Sequence, residues 1–162
     1  MNVVEQRIRG LGYELPEAPA PVAAFVPCVR AGNLLFVSGQ GTKMNGVWKF
    51  QGKVGEKYTV EEGYQAAVVA ALNCLAVIKS EIKDLDGVRR IVKLLGWVNS
   101  APSFTKQPYV MDGASQLLEK VFGEKGRHAR SAVSAHELPF DTTVEIEMIV
   151  ELADTATAGK GG

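Results

Sequence analysis

One segment constrains this chain's architecture more than any other: Thr59-Val60-Glu61-Glu62, followed by apolar residues at Val60, Tyr64, Ala67, Ala71, Leu75, Ile78 and Ile82. The Thr59 hydroxyl and the Glu62 carboxylate can satisfy each other's backbone donors, which marks a helix start. Spacings of three and four then gather the apolar positions into one stripe. The pattern predicts a long helix ending before Gly87, and such a helix must bury its stripe against another layer.

Strands supply that layer. Val29-Arg30 and Leu34 to Ser38 are short extended pieces joined through Gly32-Asn33, a hairpin composition. Gly39, Gly41 and Gly46 mark a loop before a third strand, Val47-Trp48-Lys49-Phe50. Val88 to Asn99 is rich in apolar and β-branched residues and reads as a buried strand. A second helix is expected over Asp112 to Phe122, with Asp112 as its N-cap and Gly123 just past its end. Two more strands, Ser131 to Leu138 and Thr143 to Leu152, are separated by Pro139 and Asp141. The result is an α+β fold, a sheet with two helices packed on one face. The other face then needs a cover, which makes oligomerisation the expectation. Pro16, Pro19, Pro21 and Pro27 favour extended backbone, so residues 1–27 read as an N-terminal arm of a single domain, 1–152. The small, polar residues 153–162 are expected to be a disordered tail.

Charge and composition exclude several classes. Eighteen basic and eighteen acidic residues cancel, so no long-range field draws the chain to nucleic acid or to an anionic membrane. Two cysteines, Cys28 and Cys74, are too few for a disulfide framework or a Cys-based zinc site. His128 and His136 have no second ligand at metal-binding spacing, so no metal is expected. Gly39-Gln40-Gly41 lacks the third glycine and following helix of a dinucleotide loop, and no cofactor is implied. The N-terminus has no signal-peptide core, no uninterrupted apolar run spans a bilayer, and a cytoplasmic location is expected.

The chemistry concentrates between Gly126 and Glu147. Arg130 lies in Gly126-Arg127-His128-Ala129-Arg130-Ser131, immediately before the alternating segment Ala132 to Leu138, so its guanidinium can emerge at the mouth of a strand and capture a carboxylate. Glu145 and Glu147 lie two residues apart on one strand face, while Val144, Ile146, Met148 and Val150 point to the other. The alternative is structural: a cross-strand salt bridge from Arg130 to Glu145 or Glu147, or a solvated acidic face. Trp48 and Trp97 sit in apolar runs and read as packing groups.

Together with Ser38-Gly39-Gln40, the Ala129-Arg130-Ser131, Leu138-Pro139 and Glu145-Ile146-Glu147 motifs resemble the RidA/YjgF family, in matching order from roughly Val29 to Val150. The resemblance implies a chorismate-mutase-like fold, a homotrimer closing a sheet barrel, ligand pockets at subunit interfaces, and deamination of reactive imines and enamines. By position, Arg130 inherits substrate-carboxylate binding and Glu145 the handling of the attacking water. Phe25 stands where many relatives have a pocket tyrosine, Gly39 lies near the pocket wall, and Ser115 lies at the helix-two start by the pocket. His128 replaces a proline and Ala132 replaces a cysteine of the commoner pattern. The expected activity is hydrolysis of 2-imino or 2-enamino acids to 2-oxo acids and ammonia. A non-catalytic trimer binding a small carboxylate metabolite is the alternative, and an endoribonuclease fits the charge balance poorly.

Overall fold

A computed structural model describes residues 2–21 and 23–154. Among these the chain runs α1 (Val3–Gly10), β1 (Cys28–Ala31), β2 (Leu34–Gln40), β3 (Lys43–Met44), β4 (Val47–Trp48), α2 (Val60–Ile82), β5 (Val88–Asn99), α3 (Gln107–Phe122), β6 (Ala129–Ala135) and β7 (Val144–Leu152). Alternation along β7 buries Val144, Ile146, Met148, Val150 and Leu152 on one face. That strand lies at the centre of a mixed five-stranded sheet ordered β1-β2-β7-β5-β6, in which only the β5–β6 pair is parallel. The β3–β4 ribbon forms a separate two-stranded sheet, so the expected third strand is reduced to Val47–Trp48 and stands outside the main one. Its turn places Asn45 and Gly46 at φ 50° and 80°, the left-handed pair that a tight hairpin demands.

Both long helices pack on one face, α2 against β2 and β7, α3 against β5 and β6. The Thr59–Glu62 capping box forms as the sequence implies. The apolar surface of α2 is wider than one stripe, because the sheet and α3 enclose it from two sides and bury residues such as Ala66, Ala70, Leu72 and Val77 beyond the expected ones. By length and composition alone α2 is apolar enough to cross a bilayer, yet most of that surface is buried in this fold. A Cβ on Gly113 would run into the Tyr64 carbonyl, so this glycine sets how closely α2 and α3 approach.

Three further elements differ from expectation. Within the arm, residues 3–10 form a helix rather than extended chain: Asn2 caps it by accepting from the Glu5 amide at 2.8 Å, and Val4 and Ile8 are buried one turn apart. Asp86 anchors its start by accepting from the Val3 and Val4 amides. The third helix, α3, begins at Gln107 with Pro108 in its first turn, so Asp112 is not an N-cap. Pro108 lacks an amide hydrogen that the first turn leaves unused, and Asp112 is free to reach across to β6. Strand β6 starts at Ala129, which places Arg130 within the sheet rather than before it. Of the expected tail, Ala153 donates to Gly87 and Asp154 accepts from Asn33, while 155–162 lie outside the described residues.

The opposite sheet face carries Phe36 and Val133, 41% and 37% exposed, with half-buried Leu95, Trp97 and Ile149. The additional helix α1 packs on α3, on the other side, and among the described residues no element covers this face.

Candidate functional site

Between Val37 and Gln40 the β2 strand bulges away from β7, and the freed backbone opens one end of the sheet. A cavity of about 450 Å³ occupies that end. Glu145 projects into it beside Gly39, and the approach is close enough that a Cβ on Gly39 would lie 2.9 Å from the Glu145 carboxyl carbon. The glycine is therefore required where the carboxylate sits. Burial first, then the Glu147 charge, raises the Glu145 pKa above its ordinary value. Thr142 and Lys43 add polar groups to the lining, and Phe25, Trp48 and Phe140 add rings. Prolines 19, 21 and 27 of the arm close one side. Buried Asn73, at the lining, donates through Nδ2 to the Gly41 and Lys43 carbonyls at 2.9 and 2.8 Å, fixing the loop that leads into the ribbon. Its Oδ1 is buried with no partner among the described residues.

A second cluster surrounds Arg130. Its Nη1 donates to Asp112 Oδ1 at 2.9 Å and to Ser115 Oγ at 3.1 Å, and its Nη2 donates to the Pro108 carbonyl at 3.3 Å. Among the described residues these bonds leave Nε–H and the remaining Nη2–H, donors suited to a bidentate carboxylate. Ser115 Oγ also lies 2.9 Å from His128 Nε2, and His128 Nδ1 lies 2.6 Å from the Gly126 carbonyl. A carbonyl only accepts, so Nδ1 carries the ring proton and Nε2 of the neutral imidazole accepts from the Ser115 hydroxyl. Burial lowers the His128 pKa, which favours that neutral form. The alternative reading, a salt bridge from Arg130 to Glu145 or Glu147, does not hold, because β5 lies between β6 and β7 and Asp112 supplies the partner instead.

The two clusters do not meet within one chain. Arg130 pairs in register with Leu94, and Leu94 with Met148, all on the helix-covered face, whereas Glu145 pairs with Trp97 on the open face. Two strand spacings and three residues separate them, roughly 14 Å between Cα atoms. Of the expected site residues, Phe25, Gly39 and Glu145 share the cavity. Ser115, His128 and Arg130 share the other cluster, and half-buried Ala132 lies two residues along β6 on the same face as Arg130. The sequence reading missed Asp112 as the Arg130 partner, Phe140 and Thr142 as cavity residues, and Trp48, taken as packing, as part of the lining.

A family model described as "YjgF/chorismate_mutase-like, putative endoribonuclease" matches residues 5–152. The chain belongs to the YjgF family. It is 45% identical to Protein TCP17 of Trypanosoma cruzi over 150 residues, 92% of this chain and 94% of that one. Its fold superimposes on Atu1372 of Agrobacterium tumefaciens, a protein of unknown function, with TM-score 0.88, 44% identity and coverage of 93% and 92%. A Shewanella oneidensis structure carrying the same endoribonuclease wording gives TM-score 0.90 and 36% identity, covering 93% of this chain and all of that one, 100%. Escherichia coli TdcF with bound serine shares the YjgF fold at TM-score 0.63 and 20% identity, covering 85% and 94%.

Proposed function

We propose that this YjgF-family protein hydrolyses 2-imino and 2-enamino acids to 2-oxo acids and ammonia, in a site that joins the Glu145 cavity of one subunit to the Arg130 cluster of its neighbour in a homotrimer. One observation carries the reading: a half-buried carboxylate with a raised pKa, set in a cavity, is separated on the sheet from a guanidinium whose carboxylate-binding donors are unused. Neither half is a site alone. The uncovered apolar sheet face supports assembly, since association would bury Phe36 and Val133.

In this mechanism Arg130 holds the substrate carboxylate, oriented by Asp112 and Ser115, which restrain the guanidinium before substrate arrives. Glu145 accepts a proton from water as the oxygen bonds to the imine carbon and the C=N π pair moves to nitrogen. The same carboxyl returns that proton to nitrogen to give the carbinolamine, then takes the carbinolamine hydroxyl proton and passes it to the amine, so that the C–N pair leaves with neutral ammonia as the C=O bond forms. A raised pKa suits an acid–base group that must both take and give a proton near neutrality. That TdcF holds serine supports a small amino-acid-like ligand for the fold.

The Arg130–Asp112 ion pair favours a second reading, a trimer that binds small carboxylates without turnover, because a guanidinium already neutralised is a weaker clamp. An endoribonuclease activity is disfavoured by a net charge of zero. Measuring 2-oxo acid release from imines generated in situ separates the two. Acceleration by wild type that is lost in Arg130→Ala supports the deaminase; Arg130-dependent binding of 2-oxo acids without acceleration supports the binding protein.

A further inference from the structure

The geometry of the cavity points to a substrate class: we infer that it selects acids bearing a large apolar side chain, best an aromatic one. The inference takes its chemistry from the deaminase reading above, but its selectivity from the cavity walls alone. A volume of about 450 Å³ falls in the range typical of drug-sized ligands and far exceeds the needs of a three- or four-carbon acid. The walls combine polar groups, among them Glu145, Thr142 and Lys43, with prolines of the arm and three rings, Phe25, Trp48 and Phe140.

Two of these rings are exposed where ordinary packing would bury them. Phe25 and Phe140 are 49% and 62% exposed, and the Phe140 ring lies 5.8 Å from that of Trp48, tilted by 34°. The Lys43 ammonium sits 5.7 Å from the Trp48 ring, a cation–π contact that helps hold the indole in place. Phe140 and Asp141 are consecutive non-glycine residues in the left-handed region, at φ 57° and 58°. The segment is pinned by Gln51 Nε2 donating to the Phe140 carbonyl at 2.8 Å, by Asn99 Nδ2 donating to Asp141 Oδ1 at 2.9 Å, and by the Gly52 amide donating to the Asp141 carbonyl. A phenylalanine is poorly suited to this backbone, and its exposed ring recovers little by burial. Such a conformation persists when the surroundings hold it for another purpose, and a ligand ring seated against Phe140, Trp48 and Phe25 supplies that purpose.

Two measurements on the full-length protein test this. The first compares affinities for stable 2-oxo acids by calorimetry: phenylpyruvate and 4-methyl-2-oxopentanoate should bind at least about tenfold more tightly than pyruvate, since even small apolar increments against an apolar wall discriminate at that level. Trp48→Ala and Phe140→Ala should each reduce that ratio severalfold. Pyruvate binding as tightly as phenylpyruvate overturns the proposal, as does a ratio that neither variant moves. The second compares kcat/KM for the corresponding imines, made in situ from phenylalanine, leucine and alanine. A preference for alanine's imine overturns the selectivity while leaving the deaminase standing. Absence of turnover with all three, alongside the expected affinity ratio, removes the deaminase and leaves the selectivity intact.

Discussion

Glu145 shows how a single carboxylate links function to stability. Burial and Glu147 raise its pKa above the ordinary 4.5, so the folded chain holds this proton to higher pH than the unfolded chain does. Its contribution to stability is therefore fullest below 4.5 and declines as pH rises through the raised value. Glu145→Gln removes that penalty: melting at pH 7 should occur at a higher temperature than for wild type, with the difference closing below pH 4.5. A variant that melts lower at neutral pH contradicts the burial argument. Phe140 makes a parallel case. Phe140→Gly relieves the left-handed backbone while giving up a ring already 62% exposed, so stability should be unchanged or raised by up to about 1 kcal/mol, against the roughly 3–5 kcal/mol lost when a core phenylalanine is truncated. Chemical denaturation reads that difference. Both residues illustrate what sequence can reveal. Glu145 was identifiable from its motif, but Phe140 was not, since its significance comes from a backbone angle and from its distance to Trp48, a residue far away in sequence.

At the scale of elements, local signals identified what local physics determines. The Thr59–Glu62 box, the Gly32-Asn33 hairpin and the alternation of β7 each fix an element through neighbouring residues, and each is present. The start of α3 was misplaced because Asp112 suits an N-cap, while the decisive signal was Pro108, a residue favoured in a helix's first turn. Helix α1 also had a local signal, the Asn2–Glu5 cap and the Val4–Ile8 spacing, which was passed over when the prolines from 16 to 27 led residues 1–27 to be read as one extended arm. The Arg130–Asp112 pair could not be read this way, since it depends on how α3 lies across β6. Packing of α3 on α2 rests on Gly113. Gly113→Ala should gain up to about 1 kcal/mol of helix propensity but lose about 1–3 kcal/mol or more to the clash with the Tyr64 carbonyl, lowering the melting temperature. An unchanged or higher melting temperature would mean that the helices can separate at little cost.

For the whole molecule, the consequence of this topology is that Arg130 and Glu145, the two halves of the proposed site, lie on opposite faces of one sheet. A trimer should appear in light scattering at three times 17.4 kDa, and Val133→Glu, which puts a charge on the uncovered face, should shift the protein toward monomer and abolish turnover together. The central claim is that Arg130 and Glu145 act across a subunit boundary, and mixing tests it most directly. Arg130→Ala and Glu145→Gln, each inactive alone, are unfolded together and refolded as mixed oligomers at equal proportions, then assayed for 2-oxo acid release. If each site takes Arg130 from one chain and Glu145 from another, about a quarter of the sites regain both groups and activity returns toward that fraction of wild type. Mixed oligomers that form but stay as inactive as their parents contradict the account.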